Sequence, residues 1–135
     1  MARGAGRVAA VNRSKAAVYL RRAARTLLAM MEEAESTSNG DGVAVNGIRA
    51  AISSCDAFTV AKLGLRSRGQ NHLEGVSLIS GIPAAPASTL ATLVQGVLGK
   101  KAEVEYGEQE VTLAAAARIA HSVRNIGTLV TSMLR

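Results

Sequence analysis

Aromatic side chains are nearly missing from this chain. It holds Tyr19, Phe58 and Tyr106 and no tryptophan, which counts against single-strand nucleic-acid binding by base stacking. Cysteine is missing but for Cys55, so no intrachain disulfide can form. The thiol falls inside an apolar helical pattern and reads as buried and reduced, as in a cytosolic protein. No apolar run approaches the roughly 20 residues of a membrane span. The basic N-terminus lacks the apolar core of a secretion signal. A cytoplasmic protein that does not enter membranes is expected. Metal-ligand spacings, a phosphate-binding Walker loop and a dinucleotide fingerprint are missing too, so no metal or cofactor is expected.

The chain does have alanine, valine and leucine in quantity, over 135 residues. That length suits one domain with a real core. Alanine is the best helix former and a poor strand former, so the composition predicts closely packed helices. Net charge is +6, from 16 basic and 10 acidic side chains. Residues 1–25 hold Arg3, Arg7, Arg13, Lys15, Arg21, Arg22 and Arg25 and no acid. Such a block is either a solvated basic face or a surface for an anionic partner.

Residues 1–13 read as a basic, flexible arm, and residues 14–135 as a single helical domain. Ser14 is a candidate N-cap for a first helix whose stripe is Ala16/Ala17, Leu20, Ala23/Ala24, Leu27/Leu28 and Met31. Glu32, Glu33 and Glu35 end that helix with the wrong charge for its dipole, and so call for basic partners elsewhere. Ser36–Gly42 is the clearest loop. A second helix carries Val45, Ile48, Ile52, Cys55 and Phe58 and stops at Gly64. Asp56, inside it, is either a surface or hydrogen-bonded acid or a polar group facing the stretch after Gly64. A short helix is expected over 72–79, with Asn71 and Glu74 as a capping pair. Ser88 or Thr89 caps a fourth helix, and a last helix spans about 108–134 with Glu108 and Glu110 in its first turn. The sum is an all-α, small up-and-down bundle of four to five helices. His121, within the last helix, reads as a helix-surface or satisfied core histidine.

One stretch carries recognisable chemistry: Leu65-Arg66-Ser67-Arg68-Gly69-Gln70-Asn71-His72. At the first turn of a helix, the positive end of the dipole keeps the His72 imidazole neutral and able to accept a proton. Arg66 and Arg68 precede it in a short loop, and guanidinium groups bind and stabilise phosphate charge. Free N–H groups at the same helix end also favour an anion. A phosphate site beside a general base suffices for attack of an RNA 2′-hydroxyl on its own phosphodiester, because the substrate supplies the nucleophile.

An arginine and a histidine four to six residues apart, after a long helix in a small helical domain, resemble the HEPN superfamily. Here the match is Arg66, five residues, then His72. The segment AAISSCDAFTVAKLGLRSRGQNHLEGVSLI (Ala50 to Ile79) is similar to the HEPN middle region. KKAEVEYG (Lys100 to Gly107) and the Ala-rich final helix are similar to the region on its C-terminal side. The resemblance covers roughly residues 14–134. It implies a homodimer with two Arg/His pairs facing a shared cleft, and metal-independent endoribonuclease activity on RNA. Such proteins serve as the toxin of a toxin–antitoxin pair, with a cognate antitoxin protein as partner, or in phage defence. His72 would then activate the 2′-hydroxyl and Arg66 would stabilise the transition state, with Arg68, Asn71 and Ser67 as secondary phosphate contacts. Ser67 stands where the family commonly has Asn, Asp or His. Leu73-Glu74 lacks the tyrosine of the antitoxin-modified variant. The alternative reading is a non-catalytic dimer of the same fold that binds nucleic acid or a partner protein. A third is a structural dimerisation domain whose basic arm touches an acidic partner.

Overall fold

The computed structural model describes residues 8–36, 39–68 and 72–134. Its central element is α2, Gly40–Leu63, in which fourteen residues of 24 are buried. That is more than one helix face can supply, so α2 must be covered from several sides. The covering helices are α1 (Ala16–Ser36), α3 (Leu73–Ser80), α4 (Ala85–Leu98) and α6 (Leu113–Met133), with a short α5 (Lys101–Tyr106) near one end. The molecule is the expected small all-α bundle. Its core includes Met30, Ile48, Phe58, Ile79, Leu90, Val94, Val123, Ile126 and Val130. Phe58, the chain's one phenylalanine, is fully buried in α2.

Caps explain most of the boundaries, and they differ in places from the expected ones. Asn12, not Ser14, opens the first helical segment: its Oδ1 accepts from the Ser14 N–H at 2.9 Å, starting a 3-10 turn over Arg13–Lys15 that runs into α1. Asn39 caps α2 by accepting from the Gly42 N–H at 3.0 Å. The helix therefore claims Gly40 to Gly42, which read as loop by composition. Asp41 in that first turn accepts from the Val111 N–H at 2.9 Å, tying the start of α2 to the segment before α6. Pro86 sits inside the first turn of α4, where a missing N–H costs nothing. That helix thus begins before Ser88. Thr112 caps α6, its Oγ1 accepting from the Ala115 N–H at 3.1 Å. Glu108 and Glu110 accordingly precede α6 rather than occupying its first turn.

One pairing lies outside the helical pattern. β1 (Val8–Ala10) runs antiparallel to β2 (Leu65–Ser67), with Ala9 opposite Arg66. The Val11 N–H donates to the Gly64 carbonyl at 2.8 Å and extends the ladder. Residues 8–11 of the arm expected to be flexible are therefore held against the domain by backbone hydrogen bonds. Gly64 makes the corner: at φ 67 it caps α2 in the left-handed region that a Cβ disfavours.

Candidate functional site

The corner at Gly64 delivers β2 directly from the end of α2, and β1 fixes its register. Arg66 thereby turns back over α2. Its Nε lies 3.7 Å from Asp56 Oδ2, close enough for an ion pair and too long for a hydrogen bond. Its guanidinium also stands 5.5 Å from the centre of the Tyr19 ring in α1. Arg22 lies over the same ring at 5.5 Å. One tyrosine thus gathers two guanidinium groups beside one carboxylate. Asp56 is 4 % exposed, and its pKa is pushed up to about 6: burial raises it by more than Arg66 and Arg22 lower it. The two open readings of Asp56 resolve to the second, a polar group facing the central stretch.

His72 does not occupy the first turn of α3. It is the N-cap residue itself, in the left-handed region at φ 58, and its side chain makes no capping bond. Histidine is among the residues that tolerate this conformation, and such outliers concentrate where a side chain must be aimed. The ring is half-buried, and its Nδ1 has no hydrogen-bond partner. Burial holds the His72 pKa below the usual histidine value, helped by the charges of Lys101 and Arg66 and opposed by Glu105. The ring is kept neutral, as expected, but desolvation is the main cause rather than the helix dipole. Lys101 and Glu105 pair with each other along α5 at 3.4 Å.

Of the remaining site candidates, Arg68, two residues past Arg66, is exposed. Ser67 is 1 % exposed and its Oγ has no partner; it faces the interior, which argues against direct phosphate contact. Asn71, and with it the expected capping pair to Glu74, lies outside the described residues. The structure adds Tyr19, Arg22, Lys101 and Glu105 to the site. In the sequence Arg22 is one residue of the basic N-terminal block and Lys101 half of the Lys100-Lys101 pair, and nothing there marks Tyr19.

Two candidates are structural. His121 is exposed on α6, its Nε2 3.3 Å from Asn125 Nδ2. Cys55 is 3 % exposed, and burial, with the neighbouring Asp56 charge, raises its thiol pKa far out of the reactive range. Among the described residues no group of three or more His, Cys, Asp or Glu side chains is placed to hold a metal, and no helix is long and apolar enough to cross a membrane. No family model, curated protein or solved structure matches the chain.

Proposed function

We propose that this protein is a metal-independent endoribonuclease of the HEPN type. What supports the reading is that half-buried His72, whose pKa burial holds down, also feels the Arg66 charge, with both residues on the one connection between α2 and α3. A neutral imidazole takes the proton of the RNA 2′-hydroxyl, and the 2′-oxygen attacks the adjacent phosphorus. Arg66, with Arg68 and Lys101 nearby, stabilises the charge on the phosphorane. The bond to the 5′-oxygen then breaks, and the leaving oxygen takes a proton. The products are a 2′,3′-cyclic phosphate and a 5′-hydroxyl. The RNA brings its own nucleophile, so the step needs no metal-activated water. The same reading includes a homodimer with facing Arg66–His72 pairs, and a cytoplasmic toxin or defence role with a cognate antitoxin.

One observation favours a second reading. Asp56 and Tyr19 already engage Arg66, so the guanidinium could serve only to hold RNA backbone in a non-catalytic dimer. Cleavage of end-labelled RNA in EDTA separates the two. Wild type should yield cyclic phosphate ends, and His72→Ala and Arg66→Ala should each lose about 100-fold or more. No cleavage, with binding that weakens as salt rises, would establish the binding module. Cleavage that survives both substitutions would refute the assigned roles.

A further inference from the structure

Two triplets of residues with the same spacing meet at the seam between α1 and α2. On α1 they are Arg22, Arg25 and Thr26; on α2 they are Arg49, Ile52 and Ser53. Residues three and four apart share a helix face, so each triplet forms one side of a cavity of about 350 Å³. Three guanidinium groups therefore line one cavity, and no acid lines it. Exposed Arg25 and Arg49 make no ion pair among the described residues, while Arg22 rests on the Tyr19 ring. The acids of the two helices are placed elsewhere. Asp41 accepts from the Val111 N–H, Asp56 lies beside Arg66, and Glu32, Glu33 and Glu35 close the far end of α1. Like charges on neighbouring side chains repel, and nothing in the cavity offsets that repulsion. Thr26 turns its hydroxyl back to the Arg22 and Ala23 carbonyls, at 2.8 and 3.2 Å, so Ser53 supplies the hydroxyl that can donate there. Arg49 lies outside the basic N-terminal block, and only the packing of α2 on α1 brings it to the other two.

We propose that this cavity holds a backbone phosphate of the RNA strand whose reacting phosphate lies at Arg66. The position of the reacting phosphate rests on the ribonuclease reading; the affinity of the cavity for RNA phosphate does not. Arg22 joins the two places. Its guanidinium and that of Arg66 each stand 5.5 Å from the centre of the same Tyr19 ring, so positive charge runs without a break from Arg66 into the cavity. Guanidinium forks match phosphate oxygens, and three of them on two helices cradle one group from both sides. The lining also argues against an acidic protein as occupant. Protein interfaces draw on buried apolar or aromatic anchors, and here half-buried Ile52 is the one apolar side chain. No aromatic ring lines the cavity on which a base could stack. The cavity thus takes hold of the strand and does not read its sequence.

The test is binding of the full chain to a mixed-sequence single-stranded RNA with a methoxy group at every 2′ position, which cannot be cleaved by 2′-hydroxyl attack. Affinity is measured over a range of salt, and circular dichroism checks that each variant is helical. Arg25→Ala/Arg49→Ala should weaken binding at least about 10-fold and reduce the slope of log affinity against log salt by about 0.7, one phosphate of a single strand. Arg118→Ala/Arg124→Ala removes the same charge from exposed positions on α6 and should leave affinity and slope within about 2-fold of wild type. Arg25→Lys/Arg49→Lys should restore the slope and part of the affinity, since lysine keeps the charge without the fork. A wild type that does not bind this RNA would overturn the proposal, as would equal losses in the two alanine variants, which would make net charge the cause. A polyglutamate peptide that binds wild type more tightly than the RNA does, and is lost in Arg25→Ala/Arg49→Ala, would assign the cavity to an acidic protein and overturn it too. Cleavage is assayed separately with unmodified RNA: its absence refutes the ribonuclease reading and leaves the cavity standing.

Discussion

At the scale of single residues, Asp56 and His72 oppose each other in their dependence on pH. The Asp56 pKa rises from the ordinary 3.8 to about 6 on folding. Between those values the folded chain binds more proton than the unfolded one, so stability falls as pH rises through that window. A shift of that size corresponds to a few kcal/mol, on the order of 3. Asp56→Asn removes the dependence. Urea denaturation between pH 4 and 7 should show wild type losing stability relative to the variant as pH rises to 6, then running parallel to it. A constant difference across the range would mean that Asp56 is ionised throughout. His72 acts in the other sense. Its folded pKa is lowered, so its contribution is full above the unfolded value and is lost as pH falls through the folded one. In His72→Gln the acid-side loss should be smaller than in wild type.

At the scale of elements, two contacts aim the site. Helix α3 approaches α2 at Gly75, where a Cβ would stand only 2.8 Å from Cys55 Sγ. Gly75→Ala should therefore destabilise the fold by about 1–3 kcal/mol through overpacking. In a Cys55→Ala background the same substitution should cost much less, a coupling that a double-mutant cycle in urea reads directly. Additive effects would place the clash elsewhere. The second contact is the β1–β2 ladder. Ala9→Pro removes a donor directly opposite Arg66 and should lower stability by about 1–3 kcal/mol. Because Ala9 sets the register of Arg66, RNA affinity should fall as well. An unchanged melting temperature would show that the ladder does not hold the N-terminal segment.

The whole molecule carries a charge of +6, and any RNA complex should release counterions in proportion to the phosphates it neutralises. Exposed Arg68 is the simplest group to subtract. Arg68→Ala should reduce the slope of log affinity against log salt by about 0.7 for a single strand and leave the fold intact. An identical slope would put Arg68 outside the RNA path.

By itself the sequence determined what depends on near neighbours. Alanine-rich periodicity made the class all-helical. Gly64 ended α2 because a left-handed cap favours glycine, and the short spacing of Arg66 and His72 kept them on one connection. It misplaced the starts of α2, α4 and α6, since Asn39 and Thr112 compete with several equally plausible caps, and Pro86 can begin a helix as readily as it can end one. Other features required tertiary structure. Pairing of β1 with β2 spans more than fifty residues, beyond any local pattern. Desolvation of Asp56 and His72 depends on what the bundle lays over them. Tyr19 joins the site only because α1 packs along α2. Periodicity and capping act over one or two turns, whereas burial and charge coupling are set by groups that the fold alone brings together.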